Sequence, residues 1–197
     1  MKRPTRILTE RLEIRPLKAS DYRAWKSAYA AHQPELSKHD LKLPKGASFS
    51  REAFGRVLIK QREKAQSDDC YVFALFHRKT REYLGHVDIA VIERRTMHWA
   101  NLGYGILNQH YGNGYGREAA LAAIGIGFKH LKLHRLEAVI NTDNPKSLKL
   151  ARKIGMKPEG TRRAFIYEDG KWQDHRVFSA IPEDIGMRSK RPAKGPF

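Results

Sequence analysis

The stretch Gln109-His-Tyr-Gly-Asn-Gly-Tyr-Gly-Arg-Glu-Ala119 decides how the chain is read. Gly112, Gly114 and Gly116 alternate between a strand-like run, Met97 to Leu107, and a run from about Gly116 to His130 that is apolar on nearly every side. The second run predicts a buried helix. Glycines at such a junction let the backbone turn with free N–H groups aimed outward, adding to the positive end of the helix dipole. That arrangement suits a pyrophosphate. The spacing is not a dinucleotide fingerprint, because the third glycine of G-x-G-x-x-G falls on Arg117, and no Gly-Lys-Ser or Gly-Lys-Thr follows to make a P-loop. By spacing alone, a phosphate site and a merely tight turn stay equally open.

On the N-terminal side, Leu12 and Ile14 alternate with charged neighbours and predict a strand ended by Pro16. Ser20 and Asp21 offer a helix N-cap, with Trp25 and Tyr29 one turn apart. A second helix is expected from Ser50, with Phe54, Val57, Leu58 and Ala65 on one face. From Cys70 the residues become β-branched and aromatic, and Tyr71–Phe76, Tyr83–Ile92 and Met97–Leu107 predict a meander.

On the C-terminal side, Leu136–Thr142 predicts a strand and Asn144–Ile154 a helix, basic on one face and stopped at Gly155. Thr161–Tyr167 and Trp172–Ala180 flank Asp169–Gly170, a strong hairpin signal. The expected architecture is α/β (α+β), a mixed, mostly antiparallel twisted sheet of about seven strands flanked by helices. Residues 1–185 form one domain, and residues 186–197 a basic tail expected to be disordered.

Composition bounds the function. A chain of 197 residues suits one domain that buries roughly 70% of its unfolded surface. Cys70 stands alone, which leaves no internal disulfide or Cys-based zinc cluster, and no metal is expected. The longest apolar run, Ala119–Phe128, is about half of a bilayer span, and no apolar segment follows Lys2 and Arg3, so a cytoplasmic protein is expected. Lys and Arg number 38 against 21 acids, a net charge of +17, of which Arg188, Lys190, Arg191 and Lys194 contribute four. That field attracts RNA or a phosphate-rich ligand, or is simply a soluble surface.

Gly114-Tyr-Gly-Arg-Glu-Ala119, followed by Asn144-Pro-Lys-Ser147 and Lys153-Ile-Gly-Met156, resembles the GNAT N-acetyltransferase superfamily. The opening Leu8-Thr-Glu-Arg-Leu12-x-Ile-Arg-Pro16, with His134-Arg-Leu-Glu137 and Asp169-Gly-Lys-Trp172-x-Asp174, is similar to its ribosomal-protein (alanine) N-terminal acetyltransferase branch. The resemblance runs from about Ile7 to Ile181. It implies acetyl-CoA as cosubstrate and direct attack of an amine on the thioester. Gly114 and Gly116 match the glycines of the superfamily's phosphate loop, and Tyr111 stands where Gln or Arg is usual. The resemblance places the pyrophosphate on N–H groups of Tyr111, Gly112, Asn113, Gly114, Tyr115, Gly116 and Arg117. It puts oxyanion donors near Ile106 or Leu107 and a pantetheine contact at Asn144, which by sequence reads equally as an N-cap. Ser147 is the implied acid for the departing thiolate, because the tyrosine many members carry four residues on is Ala151 here.

In some branch members a glutamate follows that serine by nineteen residues, and here the position is Ile166. Glu168 lies too close to the hairpin turn to be assigned in its place, and Glu137, which matches a branch residue, reads equally as a structural strand carboxylate. At pH 7, deprotonating an α-amine costs only about 1.4 kcal/mol, against roughly 4.6 kcal/mol for a lysine side chain. A site without a strong base therefore favours an α-amine or another weakly basic amine. The expected acceptor is a protein N-terminus, in a cleft between the Gln33–Ser48 loop and the Phe165–Trp172 hairpin. The alternatives are a small amine, such as an aminoglycoside or an amino-acid-like metabolite, and a non-catalytic RNA-binding or acyl-CoA-sensing module. Contact with ribosomal RNA through the basic surface, no membrane, and a monomer or dimer complete the expectations.

Overall fold

The computed structural model describes residues 6–41 and 48–189. The sheet has eight strands: β1 (Ile7–Leu8), β2 (Leu12–Arg15), β3 (Cys70–His77), β4 (Tyr83–Glu93), β5 (Trp99–Ile106), β6 (Arg135–Asn141), β7 (Lys157–Glu168) and β8 (Lys171–Ala180). Four helices accompany them: α1 (Tyr22–Ala30), α2 (Arg51–Gln66), α3 (Tyr115–Gly125) and α4 (Pro145–Lys153). Strand order is β1-β2-β3-β4-β5-β6-β8-β7, antiparallel except for the β5–β6 pair. The expected count of seven omitted β1, whose two residues are too short to show a period. Ile7 and Leu8 pair with Ile14 and Glu13 of β2.

Both sheet faces are covered, which is why β3 reads as a nearly continuous apolar run. Phe73 and Leu75 join the larger core with Val87, Ile89, Leu102, Ala119, Ala123 and Leu136. Ala74 and Phe76 point the other way, to Trp25, Phe54, Tyr83 and Leu107. Ser50 caps α2 by accepting from the Ala53 N–H at 3.2 Å. Asp21, expected as a cap, makes no side-chain cap bond for α1 and instead pairs with the Arg15 guanidinium at 2.6 and 2.8 Å.

The apolar run after the glycines is α3 extended by a π-helical turn, Ile126–His130. Ala119, Ala120, Ala123 and Ile124 of α3 are buried, so helix and sheet approach closely. Asp169 and Gly170 form a two-residue turn with φ of 51° and 79°, the geometry that matches the twist of a hairpin. β7 starts at Lys157, earlier than expected, and its Pro158 is tolerated because β7 is an edge strand.

Of the segment assigned to a tail, residues 186–189 follow a 3-10 turn, and Ser189 N–H donates to Glu183 Oε1 at 2.9 Å. Residues 190–197 lie outside the described residues, as do Pro44 and Gly46 of the loop before α2.

Candidate active site

β5 and β6 pair only at Trp99↔Arg135, Ala100↔Leu136 and Asn101↔Glu137. Beyond Asn101 the two parallel strands separate, and β6 turns its remaining length to β8. The far half of β5 keeps β4 on one edge and leaves its other edge to a gap. Hydrogen-bonding direction alternates along an antiparallel strand. Leu107 N–H donates to Leu84 O at 2.9 Å, so the amides of Ile106 and Tyr104 face the gap. Of the two expected oxyanion donors, Ile106 is therefore free to serve. The Leu107 N–H is engaged, and its side chain is fully buried in the second core.

The gap opens into a cleft of about 670 Å³ bordered by Tyr104, Ile106, the glycine loop and the face of α4. At the loop, Gly112 and Gly114 have φ of +80° and +78°, a backbone that only glycine adopts without strain. Gly114 is the N-cap of α3, and Glu118 N–H to Gly114 O, 3.2 Å, is the first rung of the helix. The amides of Tyr115, Gly116 and Arg117 precede that rung and have no carbonyl partner within the helix. Tyr111 N–H differs from the expectation, being bonded to Asn108 O at 3.1 Å. Tyr111 contributes its side chain instead: the hydroxyl donates to Asp40 at 3.1 Å, and Lys146 lies over the ring at 4.7 Å. Burial and the Asp40 carboxylate push the Tyr111 hydroxyl up to about 12, so it stays a donor. Asn113 does not border the cleft. Its side chain ties back to the carbonyls of His110 and Tyr111, at 3.1 and 3.2 Å.

Across the cleft, Asn144 Oδ1 accepts from the Ser147 N–H at 3.1 Å and caps α4. The cap uses the backbone of Ser147 and leaves its hydroxyl at the cleft wall. Tyr104 spans the gap and donates to Ser147 O at 3.4 Å. Lys146, Lys149, Lys153 and Arg117 border the same cleft and make it cationic.

Several contacts that hold the loop are not visible from spacing. Thr9 Oγ1, Arg11 N and Arg11 Nε donate to Glu118 at 2.5, 2.8 and 2.7 Å. Arg11 Nη1 also reaches Asn113 O at 2.8 Å. The opening Leu8-Thr-Glu-Arg-Leu12 segment thus clamps the start of α3. Burial alone would raise the Glu118 carboxyl, but the bonds from Thr9 and Arg11 outweigh it and hold the group below its usual range. On the other side, buried Asn108 binds Gln33 N and O and Pro34 O, fixing the loop after α1 beside the cleft. His39 and Lys38 of that loop reach Asp143 at 2.9 and 2.5 Å.

The carboxylates weighed as a base are engaged elsewhere. Glu137 is 4% exposed and holds Arg135 and Arg162 at 2.7 and 2.8 Å. Glu168 accepts from Asn141 at 2.7 Å, and Ile166 pairs with Gln173 across the hairpin. Burial, with Asp88 adding, pushes the Cys70 thiol up to about 11, which leaves no thiolate nucleophile. Among the described residues no cluster of His, Cys, Asp or Glu is arranged to hold a metal, and no helix is long and apolar enough to cross a membrane.

The chain is similar to known proteins in sequence and in fold. The chain is 30% identical over 136 residues to Probable N-acetyltransferase YjcK of Bacillus subtilis (strain 168), covering 69% of this chain and 75% of that protein. It is 28% identical over 179 residues to the [Ribosomal protein uS5]-alanine N-acetyltransferase of Escherichia coli (strain K12), 89% of this chain and 90% of that one. The fold superposes on Mycobacterium smegmatis RimJ in complex with CoA-disulfide with a TM-score of 0.74 at 19% identity, over 90% of this chain and 85% of that one. Residues 11–157 match the Acetyltransferase (GNAT) domain, and the chain belongs to that family of acetyltransferases.

Proposed function

We propose that this acetyltransferase moves the acetyl group of acetyl-CoA directly to a primary amine, and that the amine is the N-terminal α-amine of a protein. The observation that carries the reading is the continuity of unpaired donors: the Ile106 amide in the strand gap, then the Tyr115–Arg117 amides at the head of α3. A thioester with a pantetheine arm and a pyrophosphate needs donors in that order. Acetyl-CoA supplies an activated acyl carbon when bound. Ile106 N–H donates to the thioester oxygen, where negative charge develops on attack. The loop amides and the dipole of α3 hold the pyrophosphate. Arg117 and the α4 lysines provide positive charge for further phosphates. The Ser147 hydroxyl gives a proton to the departing sulfur.

Two observations support an α-amine. The position of the branch glutamate is Ile166, so the site favours an amine that is already partly neutral at pH 7. The Escherichia coli relative is a ribosomal-protein-alanine acetyltransferase over nearly the whole length of this chain. The basic surface fits contact with ribosomal RNA during assembly, and that contact should weaken steeply with salt. The test is release of free thiol from acetyl-CoA with N-terminal ribosomal-protein peptides and small amines as parallel acceptors. Turnover with the peptides is expected. Turnover only with a small amine replaces the acceptor and keeps the chemistry.

A further inference from the structure

The face of the sheet opposite α3 carries an ionisable pair outside the donor track described above. His86 and Asp88 lie two residues apart on β4, and both point under α1 and α2, as Ala74 and Val72 do beside them on β3. Across β5 their partners are Gly105 and Gly103. The two glycines make room for both side chains. A methyl at Gly103 would stand 2.4 Å from Asp88 Oδ1, and one at Gly105 would stand 3.3 Å from His86 Cε1. The imidazole and the carboxylate therefore lean across β5, toward the strand gap. His86 Nε2 faces Asp88 Oδ1 at 3.9 Å, and Nδ1 has no hydrogen-bond partner among the described residues.

The pair sits at the floor of a cavity of about 460 Å³, walled by Trp25, Tyr29, Phe49 and Tyr83. Leu41 borders the cleft and also packs over Gly105, where its Cδ1 would be 3.1 Å from an added methyl. His86 is thus held opposite Gly105, one residue from Ile106, and Asp88 opposite Gly103, two residues further along β5, both on the face that the cofactor track does not occupy.

We infer that His86, backed by Asp88, receives the proton of the acceptor amine, which enters from the cavity beneath α1 and α2. The inference rests on the acetyltransfer reading and puts a weak base where Ile166 offers none; an imidazole lowered below its ordinary value of 6.5 still favours an amine that is partly neutral at pH 7. An ammonium group gives one proton to His86 Nδ1. The neutral nitrogen then attacks the acetyl carbon: the C–N bond forms, the C–S bond breaks, and the nitrogen loses its second proton as the sulfur gains one. His86 returns its proton to water, so ammonium and thioester become amide, thiol and one proton. Asp88 stabilises the imidazolium. The aromatic walls favour an acceptor that carries an apolar group next to its amine.

The electrostatic setting agrees. Burial lowers the His86 pKa against the pull of Asp88, so the ring is neutral and receptive at pH 7, while burial raises Asp88. The other titratable groups facing the pair are Cys70 from β3, Lys64 from α2, Tyr29 from α1 and Tyr83 from β4, and the β5 side offers only glycines.

The test compares wild type with His86→Gln and Asp88→Asn, using the best acceptor from the peptide and amine panel. For H86Q, kcat should fall about 100-fold or more at pH 7, while CoA affinity and Tm stay near wild type. The deficit should shrink toward pH 10, where the amine is neutral without help. D88N should cost less and should shift the titration of the His86 ring followed by NMR. In wild type that ring should titrate below about 6.5 and respond to the acetylated peptide. An H86Q rate within threefold of wild type, or a ring indifferent to the peptide, overturns the role of His86 and leaves acetyl transfer standing. If H86Q does not fold, D88N and the wild-type titration decide. A wild type that binds CoA and acetylates nothing overturns the transfer reading and this inference with it.

Discussion

Glu118→Ala removes the common acceptor of Thr9 Oγ1, Arg11 N and Arg11 Nε in one step. Each part-buried donor that loses this acceptor costs up to about 1 kcal/mol, with Thr9 Oγ1 falling back on Leu12 O at 3.2 Å. The Arg11 side chain is 39% exposed, so solvent recovers part of its loss and its share is under about 1 kcal/mol. The sum is up to about 3 kcal/mol, which in a chain of this size lowers Tm by up to about 12 °C. The effect reaches the phosphate loop, because Arg11 also fixes Asn113 O at 2.8 Å. With that tie loosened, the loop amides must be ordered by the ligand, and CoA affinity should fall about 5–10-fold, or about 1–1.4 kcal/mol. Thermal unfolding and calorimetric titration with CoA read both quantities. Arg11→Ala should behave similarly, and the double variant should be little worse than either single one, because the two residues act as one clamp. An E118A protein with unchanged Tm and unchanged CoA affinity would refute the reasoning.

Other outcomes follow from the same geometry. Ser147→Ala should lower kcat by about 100-fold or more with CoA affinity retained, since the cap of α4 uses the Ser147 backbone rather than its hydroxyl. Asn144→Ala should remove that cap and cost about 1 kcal/mol in chemical denaturation. CoA affinity should weaken as salt rises from about 50 to 500 mM, because Lys146, Lys149, Lys153 and Arg117 act through screened charge, and Lys153→Glu should flatten the dependence. For pH, the Glu118, Glu13 and Glu159 carboxyls are held below their ordinary value of 4.5. A depressed carboxyl stabilises the fold fully above its unfolded pKa, and that stability disappears as pH falls through the lower folded value. Tm should stay level from pH 8 to 5 and drop below about 4.5, less steeply in E118A.

The elements with a strong period were legible from the residues themselves. The apolar β3–β5 meander, the Asp169–Gly170 turn and the caps at Ser50 and Asn144 each follow from local chemistry. β1 was not legible, because a two-residue strand takes its identity from β2 rather than from itself. At the site, the glycine loop left a phosphate site and a tight turn equally open until the family resemblance was added, and spacing could not divide its amides into used and unused. That needs the Leu107–Leu84 and Tyr111–Asn108 bonds, which depend on register and on a 3-10 turn. The clamp between Arg11 and Glu118 joins residues more than a hundred positions apart, which no local period or spacing relates. His86 and Asp88 carry no motif or spacing that sets them apart within their strand. Their setting became visible only when Gly103 and Gly105 fell opposite them.

The most direct test of the central claim is where the acetyl group lands. A peptide with a free α-amine and one internal lysine is incubated with acetyl-CoA and the enzyme, and the product is fragmented in a mass spectrometer. The account predicts a single acetyl group on the α-nitrogen, with the lysine unmodified at pH 7. Acetylation of the lysine side chain at a comparable rate would contradict it.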